Sequence, residues 1–402
     1  MSMTSDRIKL GTLKVSSVGI GSLSWSKIGD HESIREMMAE AQRLGCNFVD
    51  TAERYGVSKR MEAMGGDYGG SEKLLSEFMP QRDSHHNPHL SHAFTSTSLS
   101  TKSIKLWKPA LSLPFSTSSS ASSSSSSSPS PSLALKVATK FSPTPKRLDA
   151  QSVVNACEQS CQRLGVDSID LYQIHTPDIY QPFRYWGFKN IKDEIYWDGL
   201  IECYKRGLVR NIGVSNYGQT LLMRAHEKFS KAKVPLVSNQ INYSLLYRNQ
   251  ETNAQNTVDA AREMGIQTLG SMPLAMGLLT GKKAASRKRS ILELNNFKTY
   301  EKDIQPLTQK MSEIAANRGK SMSQVALNYV ISKGVIPLAG CNSKSQVQDN
   351  MGACAWRLSK MELAILEDFS DQVCSERSFL GAGLKRSNEK FVGYGFEKFD
   401  LH

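Results

Sequence analysis

The chain has 402 residues, of which 39% are hydrophobic, enough for a sizeable core and within the range of one α/β barrel with insertions. No apolar run approaches the roughly eighteen residues that suggest a membrane span. The formal net charge of +12 reads as surface solvation by lysines rather than nucleic-acid or membrane contact, and would also suit an anionic substrate or a phosphate-bearing cofactor.

The opening stretch MSMTSDRIKLG runs almost directly into strand-like sequence, with neither an apolar signal region nor an Arg/Ser-rich leader. A cytosolic location is therefore expected, with a plastid as the alternative if a leader precedes this start. Ile8–Leu10 and Leu13–Val15 flank Gly11 and predict a small hairpin capping a barrel bottom. A strand at Val18–Ser22, a helix at Glu32–Leu44, a strand at Asn47–Asp50 and a helix at Ser71–Phe78 follow. Residues 81–132 break the pattern. Ser122–Ser128 is an unbroken serine run followed by Pro129 and Pro131, so this stretch reads as a disordered, low-complexity insertion. Its His85, His86, His89 and His92 belong to that bias, and no metal site is expected. Placed between a helix and the next strand, the insertion should leave the barrel at its N-terminal end, away from where such barrels work.

Beyond it, strands are predicted at Leu135–Lys140, Ile169–His175, Asn211–Asn216, Pro235–Gln240, Gln267–Ser271 and Val335–Ala339. Helices with apolar spacings of three and four fall at Ala150–Leu164, Gly199–Arg206, Gln219–Phe229, Asn253–Met264 and Ser323–Ser332. Gly45, Gly165, Gly207 and Gly265 each stand where a left-handed C-terminal cap would close a helix. Eight strands alternating with helices imply right-handed crossovers and a closed parallel sheet: an α/β chain with a (β/α)8 TIM barrel. The expected organisation is one barrel domain over 1–402, with residues 372–402 as a C-terminal tail. Seven scattered cysteines, an odd number, favour a reducing compartment over a disulfide framework. Cys157 and Cys161 share a helix face and read as core packing.

The polar residues at or just past the strand ends are Asp50 and Tyr55, Lys140, His175, Ser215 and Asn216, Gln240, Ser271, and Gly340 through Asn350. Taken singly, Asp50 is a turn residue and His175 a satisfied core histidine. Convergence of four ionisable groups on one barrel mouth is harder to explain by packing, because buried charges are costly unless paired. Reduction of a carbonyl needs a hydride from one side and a proton from the other. Free tyrosine, with a pKa of roughly 10, is a poor proton donor near neutral pH. The ammonium of Lys140 would favour its phenolate, Asp50 would hold Lys140 charged, and His175 would hydrogen-bond the substrate oxygen. Ser343 can cap a helix beginning near Lys344, whose free N–H groups would suit a phosphate; an ordinary capped surface helix is the alternative. No GxGxxG follows the first strand, which disfavours a Rossmann arrangement.

The segments NFVDTAERYG (47–56), VATKF (137–141), LYQIHTP (171–177), DGLIECYKRGLVRNIGVSNY (198–217), SNQINYSLLYR (238–248) and PLAMGLLTGK (273–282) together resemble the aldo-keto reductase superfamily. The likeness covers about residues 6–80 and 133–370 in order, and within the superfamily it is nearest to plant and plastid-type oxidoreductases related to pyridoxal reductases and potassium-channel β subunits. The resemblance implies that Asp50, Tyr55, Lys140 and His175 form a catalytic tetrad reducing a small-molecule aldehyde or ketone. It implies NADPH as cofactor, with NADH the lesser fit. Ser215, Asn216 and Gln240 would hold the nicotinamide carboxamide, with Ser22, Asp50 and Ser271 also against the cofactor. Pro273, Leu274, Gly277 and Lys282 would lie along the pyrophosphate, and Gly340, Asn342, Gln346, Asp349 and Asn350 at the adenosine end.

The chain departs from its relatives at Ser271, where an aromatic ring usually stacks on the nicotinamide, and at Met272-Pro273, usually Ser-Pro; Met272 or Met276 would pack there instead. At Asn342 relatives often carry a residue that selects the 2′-phosphate, a role Lys282, Arg287 and Arg289 could supply. The aromatic stretch after His175, with Tyr180, Phe183, Tyr185, Trp186, Phe188, Tyr196 and Trp197, walls the substrate pocket or packs beneath it. The tail, with Phe379, Phe391, Tyr394 and Phe396, folds over the same opening or stays loose. A second reading keeps the fold and cofactor binding but assigns a regulatory or interaction role with little turnover. A nucleic-acid binder ranks last, for want of a basic-aromatic module.

Overall fold

The computed structural model describes residues 7–25, 31–56, 69–79, 134–144, 146–177, 192–248, 254–282 and 301–376. The insertion read at 81–132, the rings of Tyr180, Phe183, Tyr185, Trp186 and Phe188, the charges of Arg287 and Arg289, and the tail aromatics lie outside the described residues.

An antiparallel hairpin, β1 (Arg7–Leu10) and β2 (Leu13–Ser16), opens the chain. Eight parallel strands then close a barrel: β3 (Gly19–Gly21), β4 (Phe48–Asp50), β5 (Lys136–Phe141), β6 (Leu171–Ile174), β7 (Ile212–Ser215), β8 (Leu236–Asn242), β9 (Gln267–Ser271) and β10 (Ile336–Gly340), with β10 pairing back onto β3. Each observed strand falls within two residues of its predicted bounds. Strand side chains alternate between faces, and this sets the interior layers. Phe48, Ala138, Leu171, Leu269, Ile336 and Leu338 form one buried cluster with Leu10, Leu13 and Val15 of the hairpin, which therefore plugs the barrel. Two residues further along β4 and β5, on the same face, come Asp50 and Lys140; two and four further than Leu171 come Gln173 and His175. The apolar floor and the polar mouth are thus consecutive layers of one alternating pattern.

Among the described residues, the helices around the barrel are α1 (His31–Arg43), α2 (Gly70–Ser76), α3 (Ala150–Leu164), α4 (Lys192–Lys205), α5 (Gln219–Lys231), α6 (Ala254–Glu263), α7 (Gln305–Arg318), α8 (Met322–Ser332), α9 (Lys344–Met351) and α10 (Lys360–Glu376). Gly45, Gly165, Gly207 and Gly265 all have positive φ, between 69° and 87°, as helix-ending caps require. Gly199 has a different reason for being glycine. A Cβ there would come within 2.6 Å of Val153, so only a bare backbone lets α4 pack this closely on α3.

Three differences from the sequence reading stand out. α4 begins seven residues before Gly199, which moves Tyr196 and Trp197 onto a helix, where both are fully buried. Tyr196 donates its hydroxyl to the Arg147 carbonyl at 2.8 Å, and Trp197 donates to the Tyr217 hydroxyl at 3.0 Å. These two rings pack the scaffold instead of walling a pocket. α7 and α10 were not predicted, and α10 runs to Glu376, into the stretch read as tail. Leu366 and Val373 of α10 and Leu307, Met311 and Ile314 of α7 join one buried cluster with Leu245 and Leu246 after β8 and Val325, Tyr329 and Val330 of α8, so both helices owe their stability to tertiary packing of an apolar face. Among the described residues, no helix is long and apolar enough to cross a membrane.

Candidate active site

Lys140 is the centre of the barrel mouth. Its side chain is fully buried, and Nζ donates to both Asp50 oxygens at 2.7 and 2.6 Å and to the Thr51 carbonyl at 2.8 Å. Gln240 Nε2 donates to Asp50 Oδ1 at 2.9 Å. Burial pushes the Asp50 carboxyl up and the Lys140 ammonium down; their mutual attraction opposes both shifts. A pair this close, with hydrogen bonds on both partners, stays ionised because either charge alone would be stranded.

The same Nζ lies 5.2 Å from the centroid of the Tyr55 ring, within cation–π range. Tyr55 in turn meets the His175 ring edge-to-face, with centroids 5.7 Å apart. Four residues separated by up to 125 positions therefore share one mouth. Burial pushes the His175 imidazole well below its usual pKa, and the charges of Lys140 and Arg54 act in the same direction, so the ring is neutral at physiological pH. Asn216, in the left-handed region at φ 63° where asparagine is tolerated, donates Nδ2 to the His175 carbonyl at 2.8 Å and to Ser215 Oγ at 3.1 Å. Ser215 Oγ donates to the Gln240 carbonyl at 2.9 Å.

The remaining predicted contacts lie at or beyond the C-terminal ends of β3, β9 and β10. Ser22 is fully buried at the end of β3, its N–H donating to the Asp50 carbonyl at 3.0 Å, and its hydroxyl has no hydrogen-bond partner among the described residues. Ser271 Oγ donates to Asn242 at 2.8 Å. Beyond it, Met272, Ala275 and Met276 all hold positive φ of 46–56°, and Gly277 has 96°. Such backbone costs about 1–3 kcal/mol at each non-glycine position and clusters at ligand clamps. Pro273 and Gly277 are buried in this turn, Leu274 is half-buried and Lys282 is exposed.

At the start of α9 the side chains mostly serve the fold. Ser343 caps the helix by accepting from the Gln346 N–H at 3.3 Å, and Gln346 Oε1 accepts from the Asn342 N–H at 2.8 Å. Ser24 donates to the Asn342 side chain. Asp349 accepts from Ser321 at 2.6 Å, and buried Asn350 donates to Cys341 Sγ at 3.1 Å. Gly340 is exposed, with no atom close to where a Cβ would sit.

Sequence reasoning missed four residues of the mouth. The Thr51 carbonyl is invisible in a side-chain pattern. Ser142, two residues past Lys140, carried the period-two signal of a mouth-facing side chain and was passed over. Glu53 and Arg147 form a bidentate pair at 2.5 and 2.9 Å, and nothing in the sequence links positions so far apart.

Comparison with known proteins agrees with this architecture. The Aldo/keto reductase family profile matches residues 121–371. The chloroplastic pyridoxal reductase of Arabidopsis thaliana is 32% identical over 373 residues, covering 90% of this chain and 85% of that protein. The uncharacterized oxidoreductase YrpG of Bacillus subtilis (strain 168) is 26% identical over 362 residues, covering 89% and 92%. Among solved structures, a Bombyx mori aldo-keto reductase in complex with NADP superposes with TM-score 0.56 at 20% identity, covering 90% of this chain and 92% of that one. The glycerol dehydrogenase of Gluconobacter oxydans gives 0.61 at 22%, covering 92% and 96%; at such identities the likeness speaks to the fold. A closed eight-stranded parallel barrel plugged by a hairpin, a profile match across more than half of the sequence and a relative alike along nearly its whole length converge: the chain belongs to the aldo/keto reductase family.

Proposed function

We propose that this chain reduces an aldehyde or ketone to an alcohol, with NADPH as cofactor and Tyr55 as proton donor. The observation that carries the reading is the Lys140 ammonium, paired with Asp50, standing 5.2 Å from the Tyr55 ring beside a neutral His175.

The residues present fit a nicotinamide dinucleotide. The buried Ser22 hydroxyl, with no partner among the described residues, is costly unless a ligand satisfies it, and the strained turn 272–277 holds its shape where a ligand clamp would be needed. Ser22, Asp50, Ser215, Asn216, Gln240 and Ser271 would hold the nicotinamide end. Pro273, Leu274, Gly277 and Lys282 would follow the pyrophosphate, and Gly340, Asn342, Gln346, Asp349 and Asn350 the adenosine end. When bound, the cofactor supplies the hydride.

The chain's own residues manage the proton. Tyr55 gives its phenolic proton to the carbonyl oxygen as that oxygen gains negative charge. Lys140 stabilises the charge left on the phenol oxygen, and Asp50 keeps Lys140 protonated inside the barrel. His175, being neutral, donates a hydrogen bond to the same substrate oxygen without competing as an acid. Leu23 and Met272, exposed at the ends of β3 and β9, give the mouth apolar edges that suit an aromatic or aliphatic carbonyl.

The decisive experiment titrates the chain with NADPH and NADH by fluorescence, then offers a carbonyl panel beginning with pyridoxal, the substrate in the name of the chloroplastic relative. Tighter binding of NADPH and its oxidation by an aldehyde are expected. Binding with no oxidation by any member would favour the regulatory reading instead.

A pH profile tests the proton assignments. Because His175 is held well below its usual pKa, kcat/KM for reduction should run flat through about pH 6–7, where a free imidazole titrates. On the alkaline side activity should fall as Lys140 loses its proton. Burial lowers Lys140 from 10.5, so that loss begins earlier than an ordinary lysine would allow. An acid-side break near 6.5 that vanishes in His175→Gln would contradict the neutral role of this ring.

A further inference from the structure

Ser142 directly follows β5 and is 3% exposed. Its Oγ lies 3.3 Å from His175 Nδ1, its one hydrogen-bond partner among the described residues. A serine hydroxyl can donate its single proton or accept one. Were Oγ to accept from an Nδ1–H, its own buried proton would have no acceptor among the described residues, so the arrangement that leaves nothing unsatisfied has Oγ donating to Nδ1. A neutral imidazole that accepts at Nδ1 must carry its own proton on Nε2, which leaves Nε2–H to donate. We infer that Ser142 is a positioning residue that holds His175 in the Nε2–H tautomer; this rests on the proposed reduction, in which His175 donates to the substrate oxygen.

The placement of Ser142 is secured from several directions. Its N–H donates to Glu53 Oε1 at 2.5 Å, and Arg147 Nη1 donates to its carbonyl at 2.8 Å. Glu53 is buried and accepts from both terminal guanidinium nitrogens of Arg147, while the Arg147 guanidinium lies 4.6 Å over the Phe141 ring. Glu53 stands two residues before Tyr55, so the ion pair ties the loop bearing the proton donor to the loop bearing Ser142. The Tyr55 ring meets the imidazole edge-to-face, and the Asn216 amide grips the His175 carbonyl. The groups around the ring are therefore fixed, and Ser142 alone among them meets Nδ1. A ring free to exchange tautomers would present a bare Nε2 to the substrate part of the time, and a bare nitrogen repels a carbonyl oxygen.

The test combines steady-state kinetics with long-range ¹H–¹⁵N spectra of histidine-labelled protein, His175 being identified by its absence in His175→Gln. Wild type should show the Nε2–H pattern. Ser142→Ala should mix the two tautomers and lower kcat/KM for the carbonyl about tenfold, the loss of roughly one hydrogen bond. NADPH affinity should not move, and Ser142→Thr, which restores a hydroxyl, should recover both readouts. An Nδ1–H pattern in wild type overturns the inference, and so does a Ser142→Ala variant with unchanged nitrogen shifts and unchanged kcat/KM. If Ser142→Ala does not fold, the wild-type and Ser142→Thr spectra still decide. A wild type inert toward every carbonyl would overturn the underlying reading instead, which the tautomer spectra, recorded without substrate, do not depend on.

Discussion

Tyr55→Phe should abolish carbonyl reduction, by about 10²–10⁴-fold in kcat/KM, while leaving NADPH affinity within about twofold, a small fraction of the binding energy. The substitution removes one oxygen and keeps the ring. Phenylalanine can still face the Lys140 ammonium, 5.2 Å from the ring centroid in the parent, and the His175 edge. The scaffold of the mouth is therefore preserved, and the missing group is the proposed proton donor. Stopped assays under single-turnover conditions, paired with fluorescence titration of cofactor, separate the two effects. Undiminished turnover would mean that the proton comes from elsewhere, and His175 would be the first group to re-examine.

The second large effect is expected from Lys140→Met, which should lose activity on the same scale and also lose stability. Asp50 and Lys140 have side chains 5% and 0% exposed, so solvent screening offers little relief. Breaking such a pair typically costs about 3 kcal/mol, because one buried charge is stranded. In the variant, Asp50 keeps the donor from Gln240 but loses the ammonium that opposed its burial, and its raised pKa rises further. A carboxyl with a folded pKa above its unfolded value holds its relative stability at low pH and loses it as pH rises through the folded value. Lys140→Met should accordingly lose stability as pH rises from about 4. The double variant Asp50→Asn/Lys140→Met removes the stranded charge and should recover most of the melting temperature at neutral pH. Activity should not return. Denaturation of the three proteins at pH 5 and pH 8, beside their kcat values, checks each part. A double variant as unstable as the single one would mean that the pair is not the energetic unit described here.

Much of the fold could be read without coordinates, for a local reason. Strand period, helix period and a terminal glycine are properties of a few adjacent residues, and eight repetitions of them admit few closures other than a barrel. The helices outside that pattern, α7 and α10, have apolar stripes that are buried only once the folded chain brings them against each other, α8 and the segment after β8. The early start of α4 escaped for a similar reason: Tyr196 and Trp197 read as loop aromatics until Arg147 and Tyr217 are seen to receive their polar ends. Asp50, Tyr55, Lys140 and His175 were legible because ionisable groups at strand ends are conspicuous and their chemistry is complementary. Glu53 and Arg147 were not, since a glutamate and an arginine in loops are the commonest of surface residues, and Ser142, though in phase with Lys140, carries no charge to mark it.

By itself the sequence determined the class of the protein: alternating elements, the parity that puts Asp50, Lys140 and His175 on the inward face, and the residue types of the proposed proton relay. Only the tertiary structure decided which partners those groups have. Hydrogen bonds and ion pairs act over a few ångströms, and the chain positions that meet in the mouth are separated by tens to hundreds of residues. Whether Lys140 approaches Tyr55, whether Asp50 is shared with Gln240, and which nitrogen of His175 meets Ser142 depend on the closure of the barrel.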